Sequence, residues 1–143
     1  DRQAYDAHRI ALGIPDAGRD YELADAFPHE ALYDQLGSVD FKKGCFIGQE
    51  VVSRMQHRGT ARKRTVRVRT SEPVEPGTEV KAGDATIGTV GSAGPETAIA
   101  LLRLDRAGEA KAAGTPLTAG TATIELDFPD WLRLAPATGK PLA

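Results

Sequence analysis

A chain of 143 residues is long enough for one ordinary domain, or for a small barrel with an extra segment packed against it. Its 41% apolar and 27% charged residues suit a globular protein, and no apolar run approaches the roughly 20 residues a membrane span requires, so nothing supports a membrane role. One cysteine cannot close an internal disulfide and no Cys/His cluster has zinc-site spacing; the sequence predicts no closed structural metal site of its own and a reducing, cytosolic setting as the default. The chain starts at Asp1 rather than at a methionine, so the sequence reads as a fragment whose true N-terminus is unseen.

The formal charge of −2 hides a partition. Residues 1 to 41 carry nine acids against three arginines, whereas residues 42 to 69 carry nine Lys/Arg against Glu50 alone. Such a block can bind phosphate or an acidic partner, or be simply a solvated surface.

From Tyr5 to Leu12, "YDAHRIAL" sets Tyr5, Ile10 and Leu12 among polar residues and predicts one short helix, stopped by "GIP" because proline lacks the donor and restricts its predecessor. Residues 13 to 41 read as an irregular segment with one helical turn near Glu30 to Leu36. Irregular segments of this length are usually binding loops or half of a surface completed elsewhere. Ile47, Val51, Val52 and Met55 recur at helical spacing and predict a helix over 48–57, with Gly59 as its stop. Just before it, "FKKGCFIGQE" puts Cys45 on a tight turn between Gly44 and Gly48.

After Arg64 the period becomes two. "TVRVRT", "ATIGTVGS", "TAIALLRLD" and "TATIELDF" are strand-length runs, separated by the turn signals "EPVEPG", "KAGD", "SAGPE", "DRAGEAKAAG" and "TAG". A series of short strands without intervening helices predicts a small antiparallel barrel over residues 65–130, with Val66, Val68, Ile87, Val90, Ile99, Leu101, Ile124 and Leu126 mostly inward. "GKPLA" reads as a tail.

Cys45 has two readings. A free cysteine is commonly a small buried hydrophobe. Against that, Lys42, Lys43 and a helix N-terminus just downstream favour a thiolate, which would make Cys45 accessible and a nucleophile, redox centre or soft-metal ligand. His8, His29 and His57 share no local metal spacing with it and read as ordinary surface or core histidines. Nucleophile elbows and phosphate loops are absent. Glu30, after "FPH", and Glu50, the lone acid of the basic block, are the candidate carboxylates; as structural residues they would be a loop acid and a helix-start acid.

The run "KGCFIGQEVVSRMQHRG", Lys43 to Gly59, resembles the signature of the YgfZ family, folate-binding iron–sulfur cluster assembly and repair proteins related to the glycine-cleavage T-protein. Lys43, Gly44, Cys45, Phe46, Gly48, Gln49 and Glu50 fill every position of the motif Lys-Gly-Cys-aromatic-x-Gly-Gln-Glu, and "HRIALGIPDAGRDY" and "FPHEALYDQLGSVDF" look like the stretches preceding it. One departure is the absence of an asparagine that the family more often has close after the glutamate of "PHEALYDQLGSV". The resemblance implies an α+β chain: residues 1–60 as the C-terminal part of a folate-binding, T-protein-like domain, 61–135 as an antiparallel β-barrel, and 136–143 as a tail. It implies Cys45 as the key thiol with Lys43 beside it in the catalytic role. It also implies tetrahydrofolate as cofactor, with Glu30, Gly44, Gly48, Gln49 and Glu50 in its binding.

Partners implied by the resemblance are iron–sulfur assembly or client proteins, with an indirect effect on tRNA modification, and a larger N-terminal portion completing the folate-binding domain. The resemblance leaves open whether such a protein is an enzyme. Two alternatives stand beside it. One is a T-protein-type aminomethyltransferase passing a one-carbon unit to tetrahydrofolate, whose members have a similar Phe-Ile-Gly run but generally no cysteine before it. The other is a nucleic-acid-binding barrel using Arg54, Arg58, Arg62, Lys63, Arg64, Arg67 and Arg69, a region where aromatic residues are too sparse for base stacking.

Overall fold

The computed structural model describes residues 1–58 and 61–134. Helix α1 (Arg2–Leu12) begins where the Asp1 carboxylate accepts the Ala4 N–H at 2.8 Å, and buries Arg9 and Ile10 on one face. Helix α2 (Gln49–Arg58) follows the cysteine turn, as the apolar spacing predicts. Its expected stop, Gly59, and the expected tail lie outside the described residues.

Six strands follow: β1 (Lys63–Thr70), β2 (Glu79–Ala82), β3 (Ala85–Ala93), β4 (Thr97–Arg103), β5 (Leu117–Ala119) and β6 (Ala122–Leu126). They pair antiparallel throughout in the order β1-β4-β3-β2-β5-β6, and β6 returns to β1 through Val68↔Leu126 and Thr70↔Ile124, closing the barrel. Closure pairs the backbone groups that an open sheet would leave along its edges. The core holds Val66, Val68, Val80, Ile87, Val90, Ala98, Ala100, Leu102 and Ile124. Burying a Val or Leu side chain stabilises by roughly 1.5–3 kcal/mol, so this set carries the fold.

The structure corrects two expectations here. In β4 the inward set is Ala98, Ala100 and Leu102; Ile99 and Leu101 have the opposite parity, because Val66 and Val68 face Ala100 and Ala98 across the ladder. Ile99 is nevertheless fully buried, outside the barrel core, on the strand against which α1 packs, while Leu101 and Leu126 are half-buried. The second correction is helix α3 (Leu104–Ala113), which occupies the stretch read as a turn. Leu104, Ala107 and Ala110, three residues apart, form one stripe that joins the core cluster.

The N-terminal segment is tied to the barrel mainly by polar bonds. The β3–β4 register slips between Val90 and Ala93, and at that irregularity the Ser92 N–H donates to Asp20 Oδ1 at 2.6 Å. Arg9 donates to Asp20 Oδ2 at 2.8 Å and to the Ser92 hydroxyl, all three residues being buried. Gly91 permits this approach, since a Cβ there would lie 2.4 Å from Asp20 Oδ1. Further along, residues 28–37 form consecutive turns rather than a regular helix. Thr65 N and Oγ1 both donate to Glu30 O, at 2.8 and 2.9 Å, and Leu32 enters the barrel core. Leu32 does so at φ 64°, a left-handed conformation costing a branched residue about 1–2 kcal/mol, which its complete burial offsets. Trp131 closes the seam: packed against the core, it donates its indole N–H to Leu12 O at 2.8 Å.

Candidate functional site

The turn before α2 is shaped by two glycines in the left-handed region, Gly44 at φ 90° and Gly48 at φ 84°. A Cβ on either would meet nothing within 4 Å, so the requirement is conformational and not spatial. Between them Cys45 is carried out to the surface, exposed. The turn is closed by Gln49, which donates its main-chain N–H to Phe46 O at 3.3 Å and accepts the Phe46 N–H on Oε1 at 3.1 Å. Its Nε2 donates to Cys45 Sγ at 3.0 Å. Before the turn, the Asp40 carboxylate accepts the Lys42 N–H at 2.8 Å. Lys43 Nζ lies 5.1 Å from the Phe46 ring centroid, which places a cation beside the thiol segment. Glu50 is exposed in the first turn of α2, where a negative charge suits the helix dipole.

A cavity of about 290 Å³ adjoins the turn, lined by Phe41, Gly44, Phe46, Gln49, Val52 and Gln56, among others. Exposed Phe41, Val51 and fully exposed Ile47 surround the motif with apolar surface. A larger cavity of about 460 Å³ lies between α3 and strands β5–β6, lined by Ala107, Leu117, Ile124 and Leu126 and holding none of the motif residues.

Glu30 is placed differently from the others. Its carboxylate accepts the Phe27 N–H at 3.0 Å and its carbonyl takes the two Thr65 donors, so both of its ends serve the anchoring of the segment to β1. Its neighbour His29 is the residue sequence reasoning passed over. Buried at 2% exposure, it lies beside Phe41 with ring centroids 6.2 Å apart, and its Nε2 is 3.1 Å from Gln56 Oε1, so it backs two residues of the cavity wall. No spacing signal connects position 29 with position 56.

Part of the basic block is consumed by the fold. Arg64 forms a bidentate pair with Asp34, at 2.8 and 3.1 Å, and also donates to His29 O. Burial disfavours the charge on Asp34, but the bonds from Arg64 and Gln35 outweigh it and hold the carboxyl below the usual carboxylate range. Arg67 donates to Asp127 O and Ala11 O, and both Arg67 and Arg69 approach the Asp127 carboxylate. Among the described residues, Lys42, Lys43, Arg54, Arg62, Lys63 and Arg69 remain exposed, while Arg64 and Arg67 are spent on the fold, a weaker basis for the nucleic-acid alternative than the sequence suggested. Among the described residues no cluster of three or more His, Cys, Asp or Glu could hold a metal ion, and no helix is long and apolar enough to cross a membrane.

Residues 62–134, just over half the chain, match the family described as CAF17, C-terminal beta-barrel domain. Similar proteins include one from Cryptococcus neoformans var. neoformans, 45% identical over 65 residues, which cover 46% of this chain and 17% of the relative. Another is from Mycosarcoma maydis, 41% identical over 66 residues, 46% of this chain and 16% of the relative. Both are named iron-sulfur cluster assembly factor IBA57 homolog, mitochondrial. The human iron-sulfur cluster assembly factor IBA57, mitochondrial, is 36% identical over 104 residues, 68% of this chain and 29% of that protein. The chain thus spans less than a third of the length of these relatives. The family match falls on the stretch that closes into the six-stranded barrel, and by that match this chain belongs to the CAF17 C-terminal β-barrel family.

Proposed function

We propose that this chain is the C-terminal part of an iron–sulfur cluster assembly factor in which Cys45 is the working thiol. In this reading residues 1–60 complete a folate-binding, T-protein-like domain, 61–135 are the barrel, and the protein works in the mitochondrial matrix or its bacterial counterpart, the cytoplasm. The observation that carries it is the presentation of Cys45. The only cysteine of the chain is exposed on a glycine-flanked turn with a hydrogen bond to its sulfur, rather than packed as a small hydrophobe. Relatives named as iron-sulfur cluster assembly factors support the reading.

Cluster chemistry sets a condition on this role. Iron–sulfur clusters are held by several cysteine thiolates, and this chain supplies one, so a cluster engaging Cys45 takes its other ligands from elsewhere. Lys43 and the apolar residues Phe41, Ile47 and Val51 would then form the contact around the shared thiolate. Tetrahydrofolate does not fit these residues as a self-sufficient site. The cavity at the motif is at or below the roughly 300 Å³ lower end of small-molecule pockets, and the Glu30 carboxylate already accepts the Phe27 N–H. Folate binding is accordingly assigned to the whole protein, with Gly44, Gly48, Gln49 and Glu50 at most contributing one wall.

The test is complementation with the full-length protein in cells lacking their own homologue, reading the activity of an iron–sulfur enzyme. Restoration by the parent and loss with Cys45→Ser is the expected result; full restoration by Cys45→Ser overturns the role of the thiol.

A further inference from the structure

The larger cavity, about 460 Å³ between α3 and strands β5–β6, lies on the barrel and away from the cysteine turn. It has a cause in the sequence. The buried stripe of α3 offers only the small side chain of Ala107 there, which leaves space between the helix and the strands that carry Leu117, Ile124 and Leu126. A smaller cavity of about 170 Å³, lined by Arg69, Thr70, Ser71, Thr123 and Glu125, meets it at β6, because Thr123 and Glu125 line both. Its walls are fixed: the Thr123 N–H donates to Ser71 Oγ at 2.9 Å, and the Ser71 N–H donates to Thr123 O at 3.1 Å. Thr70 is 4% exposed and shares the inward parity of Val66 and Val68, and its Oγ1 has no hydrogen-bond partner among the described residues. A buried hydroxyl without a partner is destabilising, and one on a cavity wall is satisfied by a polar group that enters the cavity.

We propose that the two adjoining cavities form one binding site for a small uncharged molecule with an apolar body and a hydroxyl head. The body lies against Ala107, Leu117, Ile124 and Leu126, in a space within the roughly 300–1,000 Å³ of small-molecule pockets, and the head meets Thr70 and Thr123. A hydroxyl both donates and accepts, so an alcohol complements these two side chains in either sense. The charges around the space disfavour an ion. Arg69 lies opposite Glu125 in the β1–β6 register, and Lys111 and Glu125 both line the larger cavity, so each space carries one cation and one anion. Arg69 also approaches the Asp127 carboxylate, at 3.8 Å. The site stands apart from the reading of Cys45 as the working thiol, since none of its lining residues belongs to the cysteine motif.

The experiment is an amide NMR titration of the isotope-labelled chain with benzyl alcohol, and with benzoate and benzylamine, which at neutral pH carry the same ring with a negative and a positive head. Expected are saturable shifts with benzyl alcohol at the Thr70, Ala107, Leu117 and Thr123 amides, both ions binding about tenfold more weakly or not at all. Thr70→Val keeps the shape and removes the unpartnered hydroxyl; it is expected to weaken benzyl alcohol about three- to tenfold without lowering the thermal midpoint. Ala107→Leu fills the larger cavity and is expected to abolish the saturable shifts. The amide spectrum reports whether each variant is folded, and Thr70→Val decides alone should Ala107→Leu not fold. Shifts that stay linear in benzyl alcohol up to its solubility overturn the proposal. So does an ion that binds as tightly as the alcohol, or an unchanged affinity in either folded variant.

Discussion

The barrel and the segment before it are stabilised by different physics. Between residues 63 and 126 the chain is held by a closed ladder around an apolar core, where no single bond is decisive. Between residues 9 and 37 it is held by a few named polar links, Arg9 to Asp20 and Ser92, Arg64 to Asp34 and Thr65 to Glu30, with Leu32 as its apolar plug. A core loses stability gradually as atoms are removed, whereas a buried ion pair fails at once when one partner goes. The cysteine turn, exposed at residue 45, lies outside both regions and is closed by its own bonds between Gln49 and Phe46.

Arg9→Met gives the largest expected effect on this contrast. It leaves the Asp20 carboxylate, whose side chain is 0% exposed, buried without its cation, at a cost of about 3–5 kcal/mol. Limited proteolysis between residues 14 and 24 is expected to accelerate while amide protons of β1, β3 and β4 keep their protection. Parallel loss of protection in the barrel would show the two regions to be one cooperative unit. Next comes Leu102→Ala, which empties a fully buried core position and is expected to lower unfolding stability by about 2–5 kcal/mol in a denaturant titration. Here the segment and the barrel should fall together, because the segment has nothing to dock on once the barrel opens.

The smallest effect is an acid release. Arg64 holds the Asp34 carboxyl below its ordinary value, and a group depressed on folding stabilises above its unfolded value and loses that contribution as the pH falls through the folded one. The link between residues 28–37 and β1 is then complete at neutral pH and weakens below about pH 4. Hydrogen exchange at the Thr65 amide across that range reads it. Asp34→Asn should remove the acid step; an unchanged profile would mean that Asp34 is not the group responsible.

Much of the barrel was legible because strand alternation is a local property: Val66 and Val68, or Ile87 and Val90, declare a buried face within a few residues. β4 was misassigned for an intelligible reason. Ile99 and Leu101 are larger than Ala98 and Ala100, yet the small residues face the crowded interior while Ile99 is buried on the α1 side, so size did not report direction. α3 was hidden by Gly108 and by alanines that read equally as turn or helix until Leu104, Ala107 and Ala110 are seen to share a stripe. Within the site, the Gly44–Cys45–Gly48–Gln49 unit is contiguous and its pieces were visible. The links that tie the preceding segment to the barrel are not: Arg9 to Ser92 spans 83 residues and Arg64 to Asp34 spans 30, and no local pattern encodes either.

Trp131 is the only tryptophan of the chain, and its indole N–H is bonded to the last residue of α1. The chain thus carries one indole, which can be excited apart from its three tyrosines, placed at the joint where α1 meets the C-terminal side of the barrel. Its emission maximum and quenching by iodide report on the docking of α1, with no second indole to dilute the signal. A change in that emission when an iron–sulfur protein is added would mark a rearrangement at the α1 joint, far along the chain from Cys45.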